Sequence, residues 1–248
     1  MPAVTSRDPT RTLALRIRFR QALSGRLRRV LAQIAARLLG RASRPLYGLQ
    51  DDDEDERVVS WARALLVAAL LPVERWWERF VRHAYRLARR QVRPRPVSAH
   101  APVVIPSYQP TSTALRPLLA VVEARLRGMA EQASLAVQEA LTRTRTQGAA
   151  QRAQAVREAF APLIRRSELL SETTIVEAHA TGTLDELEAR GIERVTAERE
   201  AVKFTTRGDA LVCSLCRRLE GRVYTTQAAR GIIPVHPRCR CRWTPAVS

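Results

Sequence analysis

Apolar residues recur at helical spacing through most of this chain. Leu13, Leu15, Ile17, Leu23, Leu27, Val30, Leu31, Ile34, Leu38 and Leu39 return every few positions, the mark of one amphipathic helix or two. From 58 to 92 the pattern is again helical. Trp61, Leu65, Ala68 and Leu71 are expected on one face. Pro72 breaks or kinks that helix, and Trp76, Trp77, Phe80, Ala84 and Leu87 continue beyond it. A packed helical hairpin accounts for both runs, with Arg75, Arg79, Arg82, Arg86, Arg89 and Arg90 on its other face. Leu118, Val122, Leu126, Met129, Ala133, Val137 and Ala140 predict a long helix with one buried seam. Its expected partners are helices at 151–161 and 164–189, interrupted at Pro162. Leu169, Thr173, Val176, Ala180, Leu184 and Leu187 line the second of these, and Gly191 stops it. His179 lies near that apolar face, where a structural role is expected. Residues 195–206 alternate like a strand, and turns dominate from Gly208 on.

Prolines punctuate the middle of the chain. Pro94, Pro96, Pro102, Pro106, Pro110 and Pro117 fall within 25 residues, a density that opposes a helix and favours extended backbone. The expected order is a basic amphipathic helical region at 1–92, a linker at 93–117, a helical body at 118–192 and a Cys-rich module at 193–248. The fold class is therefore mainly α. A helical arm and body precede a small C-terminal α+β Cys/His zinc-binding module of treble-clef or ribbon type.

Composition supports the helices. Apolar residues make up 46% of the 248, enough for a core, while aromatics are only 5%, so the apolar content is Ala, Leu and Val rather than strand-forming rings. The formal charge of +18 points to a polyanionic partner, nucleic acid first. Nearly all the cations are arginine, with Lys203 the single lysine, so a compositional bias of the genome is the competing reading. Segment 1–45 concentrates arginine against one acid, Asp8. It reads as an arm on DNA or an acidic partner, as a peripheral helix with solvated charges, or as a membrane-surface helix. The acidic run 51–56 reads as a linker ahead of a helix starting near Val58, where carboxylates favour the helix N-terminus. No secretory signal is visible, and the basic start shares features with a transit peptide. The most apolar run, 58–71, is too short for a bilayer and contains Arg63, so no transmembrane helix is expected.

The four cysteines, Cys213, Cys216, Cys239 and Cys241, all lie near the C-terminal end of the sequence. A secreted disulfide framework would be spread through the chain, whereas this clustering reads as a local metal clasp. Cys213-Ser-Leu-Cys216 offers two thiolates to one ion, and a second pair follows about 22 residues later. His236 stands beside the second pair, so five donors compete for four tetrahedral positions. Cys213, Cys216 and Cys239 are the first three expected ligands, with Cys241 ahead of His236 for the fourth. Zn2+ in a closed structural site is the expected occupant, since no position is left for water. Two disulfides, or unligated thiols, are the other readings of the same residues.

The same residues carry a resemblance. Asp209, Cys213, Cys216, Leu219, Gly221, Pro234, His236, Pro237, Cys239, Arg240 and Cys241 resemble the C-terminal motif of the phage Mu protein F-like family of minor head proteins. The helix containing Ser171 to Gly182 and the Leu184-Asp-Glu-Leu187 run also resemble that family, although its Thr-Glu order is not kept at Thr173–Thr174. The resemblance covers about residues 165–245. It implies a non-enzymatic head-morphogenesis protein of a tailed bacteriophage, located in the virion head and assembled in the host cytoplasm. Its implied partners are the portal or major capsid protein and packaged double-stranded DNA, the last met nonspecifically through arginines. Two other functions fit parts of the sequence. One is a zinc-module DNA-binding protein, which the basic arm favours. The other is a small metal-dependent nuclease, for which His236 and Asp209 alone do not complete a catalytic set.

Overall fold

A computed structural model describes residues 10–41, 51–71, 76–92, 112–189 and 201–246. The helices are α1 (Leu13–Arg41), α2 (Asp51–Leu70), α3 (Glu78–Val92), α4 (Ser112–Arg143) and α5 (Ala149–Ala189). A small α+β module follows: β1 (Ala201–Thr205), α6 (Ser214–Leu219), β2 (Val223–Thr225), α7 (Thr226–Ala229) and β3 (Arg242–Pro245). The protein is mainly helical and ends in a small mixed module around a Cys/His cluster, as its sequence pattern predicts.

The chain forms two compact units, each assembled from segments distant in sequence. One unit contains residues 19–76 and 120–171. Its core draws Leu23, Leu27 and Ile34 from α1, Leu66 and Leu70 from α2, Leu126 from α4 and Phe160 from α5, all fully buried. The basic residues of α1 are partly engaged here. Arg26 donates from Nη1 to the Ala69 carbonyl at 3.1 Å and lies 4.4 Å from the centroid of the Trp76 ring. Arg37 covers Trp61 at 4.4 Å. The apolar seam of α1 is thus core in this unit.

Several details differ from the sequence pattern. The buried stripe of α2 is Val58, Ala62, Leu66 and Leu70, while Ala68 is exposed and Trp61 and Leu65 are half-buried. Residues 58–71 are nearly all apolar, so several helical stripes fit the pattern and packing selects one. Helix α2 begins at Asp51 and takes in the acidic run. Helix α4 begins at Ser112 and contains Pro117. The bond lost to that proline is offset by the buried seam of Leu115, Leu118, Leu119 and Val122. Helix α5 runs unbroken through Pro162, whose side is exposed, so the freed carbonyl on that face is open to water. Pro72, Arg75, residues 93–111, Gly191 and 195–200 lie outside the described residues.

The other unit contains residues 1–18, 77–119 and 172–248. Here α3 packs on the C-terminal half of α5. Gly182 of α5 brings the helices close: a Cβ there would stand 2.5 Å from the Tyr85 carbonyl oxygen. Tyr85 Oη donates to Asp185 at 2.6 Å, and Arg89 Nε donates to Glu186 at 2.6 Å. Arg89 is therefore not on a solvent face. It is buried with its partner, because the apolar stripe of α3 is wide enough to enclose it. Gln91 donates to the Thr10 carbonyl and presents its Oε1 to His179 Nε2 at 2.9 Å. His179 is 5% exposed and acts as a satisfied core histidine.

The three strands form an antiparallel sheet in the order β2-β1-β3. Pairing Val202 with Tyr224 and Phe204 with Trp243 puts one apolar face inward, since alternate residues share a face. Trp243 meets Phe204 and Tyr224 edge to face, at 5.7 and 5.6 Å between centroids. This face and Cys216, Cys239 and Cys241 share one core with Val176, Ala180, Leu184 and Leu187 of α5. Arg230 adds a polar tie from the module to Asp185 at 2.8 Å and to Glu188.

Candidate metal centre

The first pair of cysteines is placed by α6. Cys213 is its N-cap, with extended backbone, and its Sγ accepts a hydrogen bond from the Cys216 backbone N–H at 3.4 Å. That bond is the main reason the Cys213 thiol is shifted below its ordinary pKa. One helical turn later Cys216 faces inward and is 2% exposed. Burial pushes its thiol up to about 12.

The second group is placed by a turn. The Cys239 N–H bonds to the His236 carbonyl at 3.1 Å across Pro237 and Arg238. Proline supplies the first turning residue and Arg238 the second, at φ 63°, the pattern of a type II turn. The turn folds His236 back beside Cys239. The chain then runs through Arg240 to Cys241 and enters β3. Cys239 is held down to about 5, chiefly by a hydrogen bond from the Cys241 thiol. The Cys241 thiol is shifted upward for the reciprocal reason, because its proton is held against Cys239.

All five sequence-predicted donors are brought together. The ligand atoms of Cys213, Cys216 and His236 lie within 4.8 Å of one another, as do those of Cys216, Cys239 and Cys241. Cys216 belongs to both groups. His236 Nε2 is 3.1 Å from the sulfurs of both Cys213 and Cys216, and the Cys216 and Cys239 sulfurs are 4.0 Å apart. His236 Nδ1 is 2.7 Å from the Pro237 carbonyl oxygen. A carbonyl only accepts, so Nδ1 carries the proton and Nε2 offers its lone pair to the cluster. All four cysteines are free thiols.

The donor set fits a tetrahedral ion. With bonds of about 2.3 Å to sulfur and about 2.0 Å to nitrogen, ligand sulfurs stand roughly 3.8 Å apart and sulfur and nitrogen roughly 3.5 Å. The sulfur–sulfur separation of 4.0 Å is slightly longer, and the two sulfur–nitrogen separations of 3.1 Å slightly shorter, than those values. A cavity of about 20 Å³ lies beside Cys213, Cys216, His236 and Cys241, room for one small sphere. A cleft of about 820 Å³ lined by Glu56, Arg63, Glu131 and Arg145 belongs to the other unit and shares no residue with the cluster. The Cys/His cluster can therefore hold a metal ion.

Around the donors stands a shell of charge. Arg240 donates from Nη1 and Nη2 to the two oxygens of Asp209, both at 2.7 Å. This holds the Asp209 carboxyl below its ordinary pKa. Arg207 Nε is 3.5 Å from the same carboxylate, and Arg238 Nε is 3.6 Å from Glu172. The motif contains Asp209 and Arg240, but its spacing assigned them no role. Their signal is the charge of a residue between two cysteines and of a residue four before the first. No protein-family model, curated protein or solved structure matches this chain.

Proposed function

We propose that this chain is a minor head protein of a tailed bacteriophage, of the phage Mu protein F-like kind, with a structural zinc site in its C-terminal module. The observation that carries this reading is that Cys213, Cys216 and His236 form one metal-competent group and Cys216, Cys239 and Cys241 another, joined at Cys216, all of them residues of the quoted motif. The mixture of thiols and an imidazole suits Zn2+ better than a hard, oxygen-seeking cation. Four of Cys213, Cys216, Cys239, Cys241 and His236 would hold it, and the ion would tie the α6 turn to the start of β3. In this reading the chain works in the virion head, beside the portal or major capsid protein, after assembly in the host cytoplasm.

Contact with packaged double-stranded DNA belongs to the same reading. It is supported by exposed arginines, among them Arg28 and Arg29 on α1 and Arg217, Arg218 and Arg222 in the module. Such contacts fall on phosphates and are independent of sequence. No described helix is long and apolar enough to cross a membrane. The reading is non-enzymatic: His236 Nε2 faces two sulfurs and Asp209 is engaged by Arg240, so neither is placed as a general base.

The test is quantitative mass spectrometry of purified phage particles from the source genome, before and after DNA release. Low copy number together with the portal is the expected result. Absence from both particle states sinks the virion reading. The exposed Arg217 and Arg218 beside the cluster would then favour a zinc-module DNA-binding protein, recognised by a salt-dependent affinity with sequence preference.

A further inference from the structure

We propose that His236 is a fixed ligand of the metal, with Cys213 and Cys216, and that Cys239 and Cys241 exchange in the fourth position. The inference rests on the reading that the cluster holds a metal ion.

Two observations and one constraint of tetrahedral coordination carry it. First, the Nε2 of His236 is equally close to Cys213 and Cys216, at 3.1 Å from each sulfur. Its other nitrogen is engaged by the Pro237 carbonyl, an outer bond of the kind that orients metal-binding histidines. The His236–Cys239 turn holds the backbone that supplies this bond. The imidazole is thus aimed before any ion arrives.

Second, the two remaining thiols are matched rivals. Cys239 and Cys241 are both buried, and both sulfurs lie within 4.8 Å of Cys216. Cys239 makes the closer contact, 4.0 Å to the Cys216 sulfur. Cys241, rather than Cys239, lines the small cavity with Cys213, Cys216 and His236. Each is better placed by one criterion and worse by the other.

Third, a tetrahedral ion that has taken Cys213, Cys216 and His236 has one position left. Two thiols two residues apart then compete for it. The sulfurs of Cys239 and Cys241 lie within 4.8 Å of each other and of Cys216, so the displaced thiol has a neighbour at hand.

The experiment uses the full chain and cobalt(II) or zinc as the probe. Wild type should take one equivalent of cobalt, with a thiolate charge-transfer band of the strength of three sulfurs. Cys239→Ser and Cys241→Ser should each keep one equivalent and lose less than about tenfold in zinc affinity. The double variant should lose on the order of a hundredfold or more, whereas His236→Ala should shift the cobalt band from three-sulfur to four-sulfur strength as both thiols enter. The helical circular-dichroism signal of each variant checks folding, and the wild-type band intensity needs no variant at all. A four-sulfur band in wild type, or an unchanged band in His236→Ala, overturns the role of His236. Loss confined to one of the two single cysteine variants overturns the exchange. Failure of wild type to bind either metal removes the metal reading itself, an outcome distinct from both.

Discussion

Arg240 grips Asp209 with both Nη atoms, at 2.7 Å to each carboxylate oxygen. Arg240 sits between Cys239 and Cys241, and Asp209 precedes Cys213 by four residues. One bidentate pair therefore ties together the two loops that carry the donors, independently of any ion. A lysine cannot reproduce the planar fork. Arg240→Lys and Asp209→Asn should each lower zinc affinity by about ten- to a hundredfold, the usual effect of removing an outer partner. A competition titration against a chelator reads this directly, and unchanged affinity in both would refute a positioning role. The pH dependence follows from the same pair. Asp209 has a lowered carboxyl pKa in the folded chain. Its stabilising contribution is thus present above the unfolded value of about 3.9 and is lost as pH falls through the lower folded value. In Asp209→Asn that component of acid sensitivity should disappear.

Metal affinity should rise with pH. At neutral pH the Cys216 thiol, pushed up to about 12, is protonated, as is Cys241, which is shifted upward. Cys239, held down to about 5, is already ionised. A ligand thiol must lose its proton to bind, so each protonated ligand adds about one decade of affinity per pH unit. Cys239 adds a pH dependence only below about 5. Zinc affinity measured from pH 6 to 8 should climb by at least one decade per unit, with protons released into weak buffer. A flat profile would show that the thiols are ionised before the ion arrives.

The buried pair Arg89–Glu186 should be costly to break and cheap to replace. Its 2.6 Å contact sits where both side chains are under 10% exposed. Removing one partner leaves a charge in a dry site, a loss of about 3–5 kcal/mol. Arg89→Met and Glu186→Leu alone should each approach that loss in chemical denaturation, while the double variant should recover much of it. Additive losses in the double variant would mean that the two residues do not act as a pair.

Sequence pattern and structure agree where polar and apolar residues alternate cleanly. Leu118, Val122, Leu126, Met129, Ala133, Val137 and Ala140 are all buried, because charged and polar residues such as Glu123, Arg125, Arg127, Glu131, Gln132, Gln138 and Glu139 recur between them and mark the opposite face. The α2 stripe was misplaced for the opposite reason: between 58 and 71 almost every position is apolar, and only the neighbours decide which face is covered. Arg89 was assigned to solvent because Glu186, nearly a hundred residues away, leaves no local trace of their pairing. Prolines misled at Pro117 and Pro162, where burial of adjacent residues outweighs one missing bond. The metal donors were legible because two thiolates at Cys-x-x-Cys spacing have few other uses. The aim of His236 was not legible, since it depends on a turn at Pro237 and Arg238 and on which nitrogen carries the proton.

Gly182 offers a direct test of the packing of α3 on α5. A Cβ at this position would meet the Tyr85 carbonyl oxygen at 2.5 Å and its Cα at 3.0 Å. Both obstacles are backbone, so no flexible side chain can move aside, and the helices must separate. That displacement would disturb the Tyr85–Asp185 bond and the Arg89–Glu186 pair together. Overpacking of this kind costs about 1–3 kcal/mol, more than the 0.5–1 kcal/mol or so that alanine returns as a better helix former. Gly128 of α4 is the matched control, because a Cβ there meets nothing within 4 Å. Gly182→Ala should therefore lower the unfolding midpoint, whereas Gly128→Ala should raise it slightly. Equal stabilisation of both variants would show that the close approach at Tyr85 is absent in solution. A loss in both would point to a helix-wide effect rather than to this contact.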